Sequence, residues 1–140
     1  MELPLEGVKV VELTIAVAGP SAGATLADYG ADVIKGLRSQ LPPRPFLLCP
    51  SCFDADGRAA AVEPPSGDTQ RWIVAGLGMA AEDPYIESPH FYQINRGKRS
   101  VCLDLKSEEG MASLETLLGE ADVFLSNMRY NSLKSLNLGA

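Results

Sequence analysis

Short apolar runs rich in β-branched residues alternate along this chain with stretches of helical spacing. "VKVVELT", Val8 to Thr14, is bounded by Gly7 and by an Ala-Gly-Pro turn, and reads as a buried strand. "AGPSAGATLADYG" follows as a helix. Pro20 suits its first turn, where a missing N–H costs nothing, and Gly30 supplies a C-terminal stop. Ala18, Gly19, Ala22, Gly23 and Ala24 would let this helix lie close against a strand or a ligand. "ADVIK", residues 31–35, is the second strand, completing a right-handed βαβ unit with parallel strands.

The pattern resumes with a strand at "SVCLDL", residues 100–105, and a helix that begins at Ser107 and carries Leu114, Leu117 and Leu118 at helical spacing. Glu108 and Glu109 favour the positive start of that helix. Gly110 takes the place a capping box gives to Glu, so no such box forms. "DVFLSNM", residues 122–128, is another strand, and "SLKSLNLG" a short helix ending near Gly139. The predicted fold class is α/β, a parallel sheet with flanking helices.

Residues 36–61 break this periodicity. They hold Pro42, Pro43, Pro45 and Pro50, and neither helical nor strand spacing. We read them as an insertion at a strand end, expected to be a poorly ordered loop, since a surface loop accepts length at modest entropic cost. The natural continuation of "ADVIK" is then Val62-Glu63-Pro64-Pro65, with a turn at Pro64–Gly67. "GLGMAAEDPYIESPH" reads as loop with a little helix.

At 140 residues the chain can form one domain with its own core, without help from disulfides or metal. Its net charge of −6 argues against non-specific nucleic-acid binding, which needs a basic face. An anionic small molecule stays open, because a few local donors can outweigh the global field. No run of about 18 apolar residues exists to span a membrane, and the N-terminus lacks the pattern of a secretory signal. The expectation is an intracellular, soluble protein. Cys102 falls in an apolar strand and reads as a reduced core thiol.

Four features could carry chemistry. The first βα turn, "TIAVAGPSAG", sits where doubly wound folds bind ligands, although it lacks the G-x-G-x-x-G fingerprint and could owe its small residues to packing alone. "QINRGKRS" sets Arg96, Lys98 and Arg99 around Gly97, cations suited to a phosphate or carboxylate or simply to solvent. Cys49 and Cys52 form one C-x-x-C pair, too few ligands for tetrahedral zinc, and the sequence after them makes a poor redox-active helix. His90, placed in a loop after Ser88-Pro89, has no identifiable catalytic partner. A zinc or redox protein built on the cysteines is the minor alternative.

Four stretches in order, "LPLEGVKVVELTIAVAGPSAGATLADYGADVIK", "VEPPSGDTQRW", "FYQINRGKRSVCLDLKSEEG" and "EADVFLSNMRYNSLKSLNLG", resemble the N-terminal portion of the class III CoA-transferases, the CaiB/BaiF family. The resemblance implies a Rossmann-like sheet forming an incomplete N-terminal part of a larger fold, in which two ring-shaped subunits interlock as a homodimer. Coenzyme A or acyl-CoA would be the substrate, with no permanently bound cofactor. An aspartate would attack the thioester through a mixed anhydride, a weak nucleophile whose site must stabilise the developing oxyanion. A racemase branch instead moves the proton beside the thioester carbonyl.

By the same resemblance, Val17 and Ala18 match the family's active-site loop, and Ile94, Asn95, Arg96, Gly97 and Lys98 match a CoA-contacting turn. Asn127 and Met128 match an Asn-Phe pair that contacts CoA. Lys98 and Arg96 would meet the CoA phosphates. Val17 cannot offer the hydrogen bond of the glutamine common there, and Ser135 stands where an arginine is frequent, with Lys134 beside it. The family's nucleophilic aspartate falls beyond the position of Ala140, and no aspartate of this chain matches it. The expectation is a fragment or isoform that carries CoA-binding elements without the nucleophile. The alternatives are a racemase-like fragment or a non-catalytic CoA- or nucleotide-binding module.

Overall fold

A computed structural model describes residues 2–38, 70 and 88–139. The expected disorder of 39–61, the pair Cys49 and Cys52, the Val62–Gly67 strand start and turn, and most of the loop up to Ser88 lie outside the described residues.

Four strands, β1 (Lys9–Leu13), β2 (Asp32–Arg38), β3 (Arg99–Leu103) and β4 (Val123–Ser126), form one sheet in the order β3-β2-β1-β4. All three pairings are parallel, with Val11 opposite both Ile34 and Phe124. Helices α1 (Ala18–Asp28), α2 (Pro89–Asn95), α3 (Glu108–Gly119) and α4 (Tyr130–Lys134) flank it. This is the expected Rossmann-like α/β arrangement.

The period-2 geometry of β1 divides its side chains between two faces. Val11 and Leu13 point to one, where Leu105, Leu114 and Leu136 bury them with help from Met111, Leu117 and Leu133. Val10 points to the other, packing with Ala31 and Val33 against Leu26 and Ala27 of α1. Each fully buried leucine contributes roughly 1.5–3 kcal/mol by leaving water.

Local chemistry sets the helix ends. Helix α1 stops in a Schellman turn: the Gly30 N–H donates to Ala27 O at 2.9 Å and the Ala31 N–H to Leu26 O at 3.1 Å. Gly30 adopts φ +99°, and a Cβ there would lie 2.6 Å from Leu3 Cβ, so the predicted stop is a steric requirement. At α3 the Ser107 hydroxyl accepts from the Gly110 N–H at 3.0 Å. The missing glutamate of a capping box has a cause: a Cβ on Gly110 would sit 2.1 Å from the Asp104 carbonyl oxygen.

Three expectations need correction. Strand β2 runs to Arg38, not Lys35, because its ladder with β3 continues through Gly36 and Leu37 to Arg38 opposite Leu103. His90 lies in helix α2, not a loop: Ser88 caps the His90 N–H at 3.2 Å and Pro89 takes the first helical position. Cys102 is exposed, not a core thiol, because β3 is the outer strand of the described sheet.

Candidate functional site

The strand order defines a switch point. From β1 the chain moves outward to β2 and β3, then returns to place β4 on the other side of β1. Parallel sheets bind ligands in the crevice at the carboxyl ends of the strands where the order reverses. Here that crevice is bordered by the loop Ile15–Val17 after β1 and by Asn127 after β4.

The two segments are tied together. Asn127 Oδ1 accepts from the Ile15 N–H at 2.9 Å, and Asn127 Nδ2 donates to Ile15 O at 2.7 Å. Ala16 between them is held at φ +62°, an unusual conformation for a residue with a Cβ, costing roughly 1–2 kcal/mol. Ile15 and Val17 stay 52% and 45% exposed, so the loop presents two apolar side chains to solvent. Val17 occupies the N-cap of α1 with no side-chain cap bond, and Ala18 opens the helix. Behind them Gly19 is required: a Cβ there would lie 2.5 Å from Thr14 Cβ and 3.0 Å from Asn127 Cγ.

Beneath this loop lies a polar cluster that joins the predicted Asn95 and Lys98 to Glu12, Thr14 and Lys35, which sequence reasoning missed. Glu12, Thr14 and Lys35 are buried, and the Glu12 and Lys98 side chains are 0% and 2% exposed. Glu12 Oε1 accepts from the Thr14 hydroxyl at 2.5 Å. Glu12 Oε2 lies 2.8 Å from Lys98 Nζ, an ion pair whose angle falls short of a well-aligned hydrogen bond. Lys98 Nζ also donates to Pro20 O at 2.7 Å and to Asn95 Oδ1 at 3.2 Å. Lys35 Nζ donates to Asn95 Oδ1 at 2.8 Å, sits 3.9 Å from Glu12 Oε1, and lies 5.8 Å from the Phe91 ring centroid. Gly23 makes room for the carboxylate, since its Cβ would fall 1.7 Å from Glu12 Oε2. The signal was present in the sequence: charges inside parallel strands, which are normally apolar on both faces.

The structure splits the sequence-predicted site. Val17, Ala18 and Asn127 come together at the switch point, with Met128 partly buried against the leucine cluster. The backbone turn of Ile94 to Lys98 instead precedes β3, whose first residue Arg99 pairs with Ile34 level with the middle of β1, while the Asn95 and Lys98 side chains reach the polar cluster under the loop. Gly97, at φ +71°, would bring a Cβ within 3.2 Å of Ala27, near the far end of α1. From Ala18 to Asp28 that helix spans roughly 15 Å at 1.5 Å per residue. Ile94 is buried, so its side chain packs inside. The three cations of the turn are engaged with carboxylates of the same chain: Arg96 pairs with Asp28, Arg99 with Asp32, and Lys98 with Glu12. The turn, read from the sequence as suited to an anion or to solvent, thus holds three intrachain pairs, with Arg96 and Arg99 partly exposed and Lys98 folded back along α1.

The profile of CoA-transferase family III matches residues 5–36 and 60–140, most of the chain. The gap falls within the predicted insertion. Succinate–glutarate CoA-transferase of Agrobacterium fabrum is 34% identical over 137 residues, covering 96% of this chain and 28% of that protein. (R)-2-hydroxy-4-methylpentanoate CoA-transferase of Clostridioides difficile is also 34% identical, over 134 residues, with 96% and 27% covered. A crystal structure of a CaiB/BaiF family protein from Brucella suis superposes with a TM-score of 0.69 at 32% identity, covering 100% of this chain and 30% of that one. The fold of this chain is that of the matching part of the CaiB/BaiF family structure. The chain belongs to CoA-transferase family III and spans little more than a quarter of the length of these relatives. Among the described residues, no helix is long and apolar enough to cross a membrane.

Proposed function

We propose that this chain supplies the CoA-binding N-terminal portion of a CoA-transferase, a protein that moves CoA between an acyl-CoA and a carboxylic acid. The carrying observation is the double clamp of Asn127 on Ile15, which fixes the exposed loop of Val17 and Ala18 at the switch point. Acyl-CoA enters against that loop. The Asn127 amide holds the loop, and Ile15 and Val17 offer apolar surface to the thioester arm. An extended ligand can continue along α1 toward the half-exposed Arg96, whose pairing with Asp28 at the surface is weak enough to exchange.

In this reading the chemical step uses an aspartate nucleophile outside these 140 residues. It attacks the thioester carbonyl and expels CoA thiolate, leaving a mixed anhydride; the thiolate then attacks the aspartyl carbonyl, releasing the donor acid and leaving an aspartyl-CoA thioester. The acceptor carboxylate attacks that thioester and expels the thiolate again, and the thiolate takes the acceptor acyl group from the second anhydride, restoring the aspartate. Pairing of full-length chains as interlocked homodimers belongs to the same proposal.

The test uses the purified chain with an acyl-CoA and a carboxylic acid acceptor. We expect reversible CoA binding and no transfer. A hydroxylamine-sensitive CoA thioester formed covalently on this chain would overturn the placement of the nucleophile outside it.

A further inference from the structure

The Glu12 carboxylate is the junction between the two ends of the switch-point loop. One oxygen takes the Thr14 hydroxyl at 2.5 Å, immediately before the loop begins. The other faces Lys98 Nζ at 2.8 Å, and that ammonium holds the Pro20 carbonyl at 2.7 Å, just after the loop has entered α1. Residues 15–18 are therefore stapled at both ends through one buried carboxylate, and from the side by Asn127.

This placement is costly. Burying a carboxylate and ammonium groups forfeits their hydration, and a well-packed apolar cluster at such positions is commonly as stable or more so. The same sheet shows that such packing is available: Val10 and Val33, two residues earlier on the same face of β1 and β2, are buried among apolar neighbours. The polar cluster appears only at the carboxyl half of those strands, under the loop. A charge network fixes directions and distances that apolar contacts leave adjustable, and the left-handed Ala16 requires such external restraint.

We propose that Glu12 is a positioning residue for CoA binding, and that Lys98 acts as an internal strut for the loop and not as a phosphate ligand. The inference rests on the reading that the switch-point loop takes CoA. It reaches beyond that reading in assigning roles to two residues that the ligand does not touch.

The two roles of Lys98 predict opposite signs for Glu12→Gln. If Lys98 were a phosphate ligand restrained by Glu12, neutralising the carboxylate would release it, and CoA affinity would hold or rise. As a strut it loses its anchor, the loop loosens, and affinity falls by about tenfold, the scale of coupling within one network. CoA is titrated by calorimetry into the wild-type chain and Glu12→Gln at a temperature where both give the same far-UV circular dichroism. A purely structural role would leave the affinity of the folded fraction unchanged. Thr14→Val provides a milder probe should Glu12→Gln fail to fold: it removes one hydroxyl bond, and affinity should fall several-fold.

Wild-type binding with weakened binding in either folded variant supports the proposal. Wild-type binding with equal or tighter binding in the folded variants overturns it and leaves the CoA reading standing. No CoA binding by the wild-type chain overturns both.

Discussion

The two faces of β1 are built on opposite principles. Toward α3, Val11 and Leu13 lie in an apolar cluster of leucines, methionines and Ala121 that any well-fitting apolar set could reproduce. Toward α1, Glu12 near the carboxyl end of the same strand and Thr14 just after it lie with Lys35, Lys98 and Asn95. The apolar face supplies cohesion without fine direction. The polar face gives up hydration to set the position of a loop. Four consecutive residues, Val11 to Thr14, thus separate what holds the fold from what shapes the candidate site.

Substitutions should expose that division. The largest effect on stability is expected from Glu12→Gln, which removes the charge facing two buried ammonium groups and should cost about 3–5 kcal/mol in urea unfolding. The double change Glu12→Met with Lys98→Met should recover most of that loss, since replacing a buried pair by apolar groups is often neutral or stabilising by about 1–4 kcal/mol. No such rescue should follow on the other face, where Leu114→Ala leaves a cavity and costs about 2–5 kcal/mol. Gly23→Ala pushes a methyl into the Glu12 carboxylate and should cost about 1–3 kcal/mol despite the better helix propensity of alanine. Ser107→Ala removes the cap of α3, far from the polar cluster, at about 1 kcal/mol by thermal melting, with no change in ligand binding.

The fold was largely legible because its strands and helices follow strong periodicities. The β1–α1–β2 unit was marked by β-branched runs, by Pro20 in the first turn and by Gly30 at the stop. Boundaries slipped where a local sign was overruled by pairing: Gly36 looks like a terminator, yet the ladder with β3 carries β2 to Arg38. Helix α2 was missed although Ser88-Pro89 is a recognisable helix start, because its seven residues are too few to show a period. The site was half legible. Topology brings the ends of β1 and β4 together, and with them the loop of Val17 and Ala18 and the Asn127 that clamps it. For Lys98 the sequence shows a cation on a turn and cannot show that its side chain runs inward to Glu12. Glu12 and Lys35 were hidden for a related reason: each sat in an apolar run and was absorbed into the strand it interrupts.

The central claim is that the crevice between the β1 loop and Asn127 takes CoA. Calorimetric titration of CoA into the wild-type chain and into Asn127→Ala tests it most directly, because that change removes both bonds to Ile15 and frees the loop. The account predicts binding by the wild-type chain and a loss of about tenfold or more in the variant, the equivalent of about 1.4 kcal/mol or more. A silent wild-type chain, or a folded Asn127→Ala variant that binds CoA equally well, would contradict it.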